Sequence, residues 1–225
     1  MRCATTPLGR ALGHNLIANV SALFAQPAPV IRPATAGDID VLARTLARAF
    51  FDDPVARWAW RPDGQRLRAL ERFQATRARQ LLDGEGVWTT DDLTCAALWA
   101  RPGHWRSSLR EEAALAPCFA HPRLLARMPL VAAGWQGMER KHPSKPQHWY
   151  LAVLGTDPSA QGRGLGSAVL QPVLEQCDAD GVGAYLESSK ERNIDFYARH
   201  GFRVLDQLRL LRGPPMWKMW REPRA

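Results

Sequence analysis

A glycine-rich turn between a predicted strand and a predicted helix constrains this chain more than any other feature. Glycine occupies positions 162, 164 and 166, and the nearly continuous apolar run from Trp149 to Leu154 that precedes them is typical of a strand buried on both faces. The segment from Gly164 to Cys177 predicts an amphipathic helix. Because glycine lacks a Cβ, the backbone here can approach a ligand closely, and the free amides at a helix N-terminus attract anions. The pattern therefore predicts an anion-binding loop, with Arg163 beside it.

The spacing of these glycines excludes two common phosphate-binding loops. A dinucleotide fingerprint needs its third glycine at position 167, which is Ser167, and a P-loop needs a Gly-Lys-Ser/Thr sequence, which the chain lacks. What remains is Gly-x-Gly-x-Gly, preceded by Gln161 and following a strand.

A second pattern lies downstream of this loop and its helix. Asn193 and Tyr197 are four residues apart in a predicted short helix over residues 191–200, so both side chains lie on one helical face. Gly201 suits the position that ends the helix, and Phe202 begins the next predicted strand.

The two patterns, in this order, resemble the GNAT superfamily of N-acetyltransferases. The resemblance extends from about Val30 to Arg221 and is closest to the puromycin N-acetyltransferase group. It implies the GNAT fold, in which a mixed sheet of six or seven strands, flanked by helices, splays near its middle and holds acetyl-CoA in the opening. Resemblance within this family is a good predictor of the cofactor, but it is a poor predictor of the acceptor.

The hydrophobic pattern along the chain agrees with a mixed α/β (α+β) fold, because helical and strand-like segments alternate. We expect a single domain over residues 30–225, preceded by an extension at residues 1–29 that is mobile or loosely docked. A signal peptide is disfavoured because His14, Asn15 and Asn19 interrupt the apolar run of that extension. The expected helices are Ile39–Phe50, Asp63–Leu82, Gly164–Cys177 and Glu191–His200; Asp53-Pro54 is expected to stop the first, and Gly155–Arg163 to form a turn. The expected strands include Val87–Thr90, Thr94–Ala100, Trp149–Leu154, Ala184–Leu186, Arg203–Val204 and Leu208–Leu211.

The resemblance implies which residues hold acetyl-CoA. The backbone of the strand end would bind the pantetheine arm, the glycine loop would bind the pyrophosphate, and Asn193 would contact the amide arm of the cofactor. The residues concerned are Leu154, Gly155 and Thr156 in the strand, and Gln161, Gly162, Arg163, Gly164, Leu165, Gly166 and Ser167 in the loop.

Two residues are the predicted acid and base of a direct acetyl transfer. Tyr197 is the candidate general acid, because a phenol within hydrogen-bond reach can protonate the departing thiolate; the alternative is an aromatic side chain packed beside Phe196. Glu187 follows an apolar strand segment close to the Asn193–Tyr197 helix and is the candidate base, acting directly or through a water. The alternative for Glu187 is a surface ion pair at the end of a strand.

The acceptor site is predicted in the loop after the first helix, which borders the acceptor in the family. Aromatic walls with carboxylates suit a cationic or aromatic amine, and the segment Trp105–Arg140 would form the opposite wall. The alternative is core packing for the aromatic residues and a helix stop for the aspartates. The predicted acceptor residues are Phe50, Phe51, Asp52, Asp53, Trp58 and Trp60.

Composition and charge limit the remaining classes. The formal net charge is +8, and since four of the 30 basic residues are lysines, the other 26 are arginines; the charge fits a phosphate-bearing cofactor or the solvated surface of a protein from a GC-rich bacterium. The four cysteines are widely scattered, so we expect reduced thiols in a cytoplasm, without a disulfide or a metal site. No apolar run is long enough to span a membrane, and no nucleic-acid-binding motif occurs.

The resemblance implies an N-acetyltransferase that moves an acetyl group from acetyl-CoA directly to a primary amine of a small-molecule or aminoacyl-type acceptor, as a monomer or homodimer. The alternative is a GNAT-like module that binds acyl-CoA as a sensor without catalysis.

Overall fold

A computed structural model describes residues 28–61 and 63–224 of the chain. The predicted N-terminal extension falls outside these residues, except for residues 28 and 29. The described part contains a seven-stranded mixed sheet with helices on both faces, as the sequence predicts.

The strands of this sheet lie in the order β1-β2-β3-β4-β5-β7-β6. Neighbours are antiparallel except β4 and β5, which are parallel. The strands are β1 (Ile31–Pro33), β2 (Val87–Thr90), β3 (Cys95–Ala100), β4 (His148–Thr156), β5 (Gly183–Ser188), β6 (Arg203–Arg209) and β7 (Pro215–Arg221).

Eight α-helices in the described residues connect these strands. They are α1 (Ile39–Ala49), α2 (Pro54–Ala59), α3 (Asp63–Leu82), α4 (Leu109–Ala113), α5 (Pro122–Leu125), α6 (Met128–Lys141), α7 (Leu165–Asp180) and α8 (Ile194–Arg199). Short 3-10 turns occur at Ala36–Asp38, Ala116–Phe119, Pro158–Ala160 and Glu191–Asn193.

The apolar faces of α1 and α7 make the core on the two sides of the sheet. Leu42 and Leu46 of α1 are fully buried in a cluster that also holds Leu98 of β3. Val169 and Leu170 of α7 are fully buried in a second cluster with residues of β3, β4 and β5. Because both helices follow a 3.6-residue apolar pattern, each has one face against the sheet.

The sheet parts in the middle, between its two parallel strands. β4 and β5 are paired from His148 and Gly183 as far as Leu151 and Leu186, where the ladder ends. β4 continues to Thr156, paired with β3 alone. The last residues of β4 therefore keep one backbone edge free for a ligand.

The structure corrects the sequence prediction at four places. The two expected strands at Arg203–Val204 and Leu208–Leu211 are one strand, β6, and the sequence pattern missed β7, whose first residue is a proline. Pro215 is tolerated there because the first residue of a strand need not donate to the ladder. β4 runs through Gly155 and Thr156, where a turn was expected.

The fourth correction concerns Asp53-Pro54, which was expected only to stop a helix but begins one. α1 already ends at Ala49. The Asp53 carboxylate then caps α2 by accepting from the amides of Val55 and Ala56, and Pro54 occupies its first turn.

Candidate active site

Two cavities meet at the place where β4 and β5 part. The first, which we call the loop cavity, has a volume of about 560 Å³ and contains the glycine turn. The second, the aromatic cavity, has a volume of about 550 Å³ and lies beneath α3 and the segment from α4 to α6. The residues that line both cavities are Phe50, Asp53, Ala152, Val153, Glu187 and Ser189.

The loop cavity brings together the predicted cofactor residues, with one exception. Arg163 is exposed and does not line this cavity. Hydrogen bonds from Thr90 and Thr94 lower the pKa of Asp92, and the charge of Arg163 lowers it a little further. The predicted residues that line the cavity are Leu154, Gly155, Thr156, Gln161, Gly162, Gly164, Leu165, Gly166, Ser167 and Asn193.

Backbone conformation explains why the turn needs glycine at two positions. Gly162 has φ of 78° and Gly164 has φ of 76°, values that disfavour residues with a Cβ. Gly164 is the N-cap of α7, so the amides of the first turn of that helix face outward, toward the loop. At the start of the turn, the Gln161 side chain donates a hydrogen bond to the carbonyl of Thr156 at 3.2 Å.

An ion pair fixes this turn to the first helix. Arg48 of α1 donates through Nε to Asp157 Oδ2 at 2.7 Å, and Asp157 also accepts from the amide and the hydroxyl of Ser159. The Ser159 hydrogen bond and the Arg48 guanidinium hold the pKa of Asp157 below its usual range. The carboxylate therefore stays charged and holds the start of the loop at neutral pH.

Tyr197 lies in the loop cavity with Asn193, as their spacing predicts. The phenol is 8% exposed and packs edge-on against Phe196 and Phe202, with ring centroids 5.1 Å and 5.9 Å away. Burial, together with the nearby Asp53 carboxylate, raises the pKa of Tyr197. The side chain is thus a packed aromatic residue whose phenol stays protonated at neutral pH.

Glu187 stands at the junction of the two cavities. Its side chain is only 2% exposed. The Nδ1 atom of His142, an imidazole that is charged only when protonated, lies 3.4 Å from Glu187 Oε1. Neither carboxylate oxygen has a partner with full hydrogen-bond geometry among the described residues, but the phenols of Tyr150 and Tyr185 lie close enough to interact with this carboxylate. This burial excludes the surface ion pair that was the alternative for Glu187.

Aromatic side chains build the second cavity. Trp60 contacts Phe73 and Trp135 edge-on at centroid distances of 5.3 Å and 6.2 Å, and Phe119 at 6.1 Å. The segment Trp105–Arg140 contributes the opposite wall, as expected from the sequence. Gln74 in the floor is 1% exposed, and its Oε1 has no hydrogen-bond partner among the described residues.

The predicted acceptor residues divide into two groups. Phe50, Asp53 and Trp60 line the aromatic cavity, whereas Phe51, Asp52 and Trp58 do not. The Trp58 indole is buried, and a Cβ at Gly134 would approach it to 2.5 Å, so this tryptophan packs in the core. Phe51 lies beneath the Arg66 guanidinium at 5.2 Å, and Asp52 is exposed.

Asp53 has structural contacts in addition to its place in both cavities. Besides capping α2, its carboxylate accepts from the Ser189 hydroxyl and lies 3.9 Å from Lys190 Nζ. It thereby connects the start of α2 to the segment after β5, and its acceptor capacity is largely used.

Sequence reasoning did not identify three cations that line the loop cavity: Lys190, Arg192 and Arg199. They follow β5 or lie on α8, where each resembles an ordinary surface charge. Their common location depends on the tertiary fold. The other residues that were missed are His142 and Tyr150 around Glu187.

In residues 28–61 and 63–224, no group of three or more His, Cys, Asp or Glu side chains is arranged to hold a metal ion. Over the same part of the chain, no helix has both the length and the apolar character needed to cross a bilayer.

Comparisons with known proteins point to one family. Residues 101–202, which include the glycine turn, Glu187 and Tyr197, match the model of the Acetyltransferase (GNAT) family. A Schizosaccharomyces pombe protein named as an uncharacterized N-acetyltransferase is 28% identical over 214 residues, covering 84% of this chain and 81% of its own.

Solved structures share the fold. A structure from Corynebacterium glutamicum, described as histone acetyltransferase HPA2 and related acetyltransferase, is 26% identical with a TM-score of 0.64, covering 88% of this chain and 98% of that chain. The Drosophila melanogaster polyamine N-acetyltransferase has the same fold at 15% identity, with a TM-score of 0.56 and coverage of 87% and 100%. The family match, these relatives and the shared fold support the assignment of this chain to the GNAT superfamily of acetyltransferases, and with it an acyltransferase activity.

Proposed function

We propose that this protein transfers an acetyl group from acetyl-CoA directly to the primary amine of a small-molecule or aminoacyl-type acceptor. One observation carries the proposal: the Glu187 carboxylate lies where the loop cavity and the aromatic cavity meet, and neither of its oxygens has a partner with full hydrogen-bond geometry among the described residues. A base at such a junction can contact an amine from one cavity and a thioester from the other.

The loop cavity suits a coenzyme A thioester, which supplies an activated acetyl group. The free edge of β4 at Leu154–Thr156 offers backbone hydrogen bonds to an amide-bearing arm. The N-terminus of α7 behind Gly164 suits a pyrophosphate, because helix amides and the helix dipole favour negative charge. Arg192 and Arg199 add positive charge at the same cavity.

The proton transfers follow from the two titratable side chains. An ammonium acceptor loses two protons as it becomes an amide. Glu187 takes the first, which leaves the electron pair on nitrogen to attack the carbonyl carbon. Tyr197 gives its phenol proton to the sulfur as the carbon–sulfur bond breaks, and regains a proton from the nitrogen. One proton therefore ends on the CoA thiol and one in solution.

The aromatic cavity indicates the class of acceptor. Its walls of Trp60, Phe73 and Trp135 favour an amine that carries an aromatic or bulky apolar group. Glu112, Glu139 and Glu187 also line it, together with Arg77, so the carboxylates outnumber the guanidinium and a cationic acceptor gains favourable electrostatics. An aminoacyl nucleoside such as puromycin, the acceptor of the group that the sequence resembles most closely, meets these criteria.

Release of CoA thiol tests this function. The purified protein is incubated with acetyl-CoA and a panel containing puromycin, tryptamine, phenethylamine, ethanolamine and agmatine. We expect turnover with the aromatic amines and little with ethanolamine. Tight acetyl-CoA binding without turnover on any amine would favour the sensor alternative, and a lack of acetyl-CoA binding would overturn both functions.

We also propose a cytoplasmic location. Cys95, Cys118 and Cys177 are free and buried thiols, as is usual for proteins of a reducing compartment.

A further inference from the structure

Two buried histidines connect Glu187 to a backbone carbonyl, and the proposed reaction leaves both unused. His142 follows α6 and places its Nδ1 3.4 Å from Glu187 Oε1. Its other nitrogen, Nε2, lies 3.0 Å from Nε2 of His148, the first residue of β4. His148 Nδ1 in turn lies 2.8 Å from the carbonyl oxygen of Pro146.

The neighbouring rings hold both imidazoles in place. Trp105 stacks on His142 with a centroid distance of 3.8 Å, and Tyr150 and Tyr185 contact the same ring edge-on at 4.7 Å and 4.6 Å. His142 is 8% and His148 1% exposed. The rings therefore have little freedom to exchange hydrogen-bond partners.

The Pro146 carbonyl determines the tautomers of this row. A carbonyl oxygen only accepts, so His148 carries a proton on Nδ1. Desolvation lowers the pKa of His148, which keeps the ring neutral and leaves Nε2 as an acceptor. His142 then donates from its own Nε2, and its Nδ1 presents a lone pair to Glu187 unless that nitrogen takes up a proton.

The contact between Glu187 and His142 therefore lacks one proton. Without it, two lone pairs lie 3.4 Å apart; with it, the two side chains form an ion pair, which a small approach of the two atoms turns into a charge-assisted hydrogen bond. The other titratable groups around the pair are Tyr150 on β4, Tyr185 on β5 and His148. Burial raises the pKa of both tyrosines, with Glu187 as a further cause, and Arg77 and Asp206 act on them more weakly, so both phenols stay neutral.

We propose that His142 and His148 are positioning residues for the base, and that the Glu187–His142 pair stores the proton taken from the acceptor. This inference rests on the proposed function, since it assigns to the pair the proton that the amine loses first. The nitrogen–hydrogen bond of the ammonium breaks, its electron pair stays on nitrogen, and the proton joins the pair, whose net charge changes from −1 to 0. After transfer the pair releases this proton to water.

Four variants test the proposal in the acetyl-transfer assay. His142→Gln removes the titrating ring, and we expect kcat to fall about 10- to 100-fold through misplacement of the base, with KM for acetyl-CoA unchanged. His148→Leu should behave in the same way, whereas His148→Gln should stay within a few-fold of wild type, because its amide oxygen can still accept from His142 Nε2. His104→Gln alters an exposed histidine outside both cavities and should leave all constants at their wild-type values.

The pH profile separates positioning from packing. A protonated pair cannot accept a proton, so kcat/KM for the acceptor falls at low pH. An imidazole ordinarily binds protons more tightly than a carboxylate, by about two pH units. In His142→Gln the acid limb should therefore move toward lower pH. A variant that loses stability and kcat but keeps the wild-type acid limb would overturn the proposal.

Nitrogen NMR of the two imidazoles tests the shared proton without a measurement of activity. We expect His148 as the neutral Nδ1–H tautomer, and His142 gaining its second proton at higher pH in the wild type than in Glu187→Gln. An Nε2–H tautomer at His148, or identical His142 titrations in both proteins, would refute the stored proton. Failure of the wild type to acetylate any amine would instead count against the proposed function, while the NMR titration would still report on the pair.

Discussion

Gly155 of β4 lies directly beneath Leu46 of α1, so closely that a Cβ on the glycine would come within 2.7 Å of the Leu46 Cδ2 atom. The same Cβ would lie 3.1 Å from Phe50 Cε2. This approach brings the first helix onto the strand whose free edge forms part of the loop cavity. Leu46 is fully buried, so the leucine has little room to move aside.

Gly155→Ala should therefore destabilise the protein by about 1–3 kcal/mol, the usual result of adding a methyl group to a filled core. Urea denaturation followed by circular dichroism measures the change. The matched control is Gly137→Ala in α6, where a Cβ meets nothing within 4 Å and better helix propensity should stabilise by up to about 1 kcal/mol. Equal stability of the two variants would contradict the packing seen at Gly155.

Gly164→Ala should weaken acetyl-CoA binding. The residue has φ of 76° at the start of α7, and alanine in this region costs about 1–2 kcal/mol, so we expect the loop to shift and KM for acetyl-CoA to rise by about tenfold. Gly181→Ala is the control, because Gly181 caps the other end of the same helix with φ of 65° and equally open space. It should lower stability to a similar extent and leave KM unchanged; a matching rise in KM would mean that the effect is not local to the loop.

Charge reversal at Arg192 or Arg199 should raise KM for acetyl-CoA without lowering kcat. Both are exposed cations that line the loop cavity, where coenzyme A phosphates would lie. We expect an increase of about 3- to 10-fold for each variant, and the difference from wild type should shrink as salt is added because exposed charges are screened. Arg44→Glu changes an exposed residue of α1 outside both cavities and should leave KM unchanged. An equal rise in KM in this variant would mean that the net charge of the protein, and not the position of the arginine, determines the effect.

Tyr197→Phe should lower kcat by about 10²- to 10⁴-fold, the usual contribution of a general acid, while acetyl-CoA binding measured by calorimetry stays nearly intact. The raised pKa of Tyr197, caused mainly by burial, also predicts the shape of the wild-type pH profile. The neutral phenol is the proton donor, and it ionises only above its ordinary value of about 10. Ionisation of Tyr197 should thus cause no loss of kcat up to about pH 10, and wild-type turnover in the phenylalanine variant would remove it from the mechanism.

Local patterns explain why so much of the loop cavity could be predicted from the sequence. The glycine turn, the helix after it and the Asn193–Tyr197 spacing each lie within a few residues, so their geometry follows from turn and helix rules. The structure places them in one cavity. Helix α3 likewise has the predicted bounds, Asp63–Leu82, because its apolar period and the following Gly84 are local signals.

The surroundings of Glu187 could not be predicted in this way. His142, His148 and Glu187 meet only because a loop returns to the start of β4 and β5 lies beside that strand. The acceptor prediction failed to separate Trp60 from Trp58 for the same reason: the two side chains are two residues apart, yet one lines the aromatic cavity and the other packs in the core. β7 was missed because its proline and its mixed polar pattern hide a strand that gains its stability from two neighbours.

The three described cysteines should be nearly inert toward thiol reagents in the folded protein. Burial raises the pKa of Cys95 to about 11 and those of Cys118 and Cys177 to about 12. Because the thiolate is the reactive form, at pH 8 about one Cys95 thiol in a thousand is ionised, and about one in ten thousand at the other two sites. Each unit of rise in pH should then increase the reaction rate about tenfold until the pKa is reached.

Titration with a chromogenic disulfide measures this reactivity, in a Cys3→Ser variant because Cys3 lies outside the described residues. We expect no fast-reacting thiol at pH 8 and three after unfolding in guanidinium. A native thiol that reacts within seconds would show that one of these side chains is not buried as described. The same result has a practical consequence: in the Cys3→Ser variant, a chromogenic disulfide present during turnover should report the CoA thiol alone, so that slow acceptors can be assayed against a low protein background.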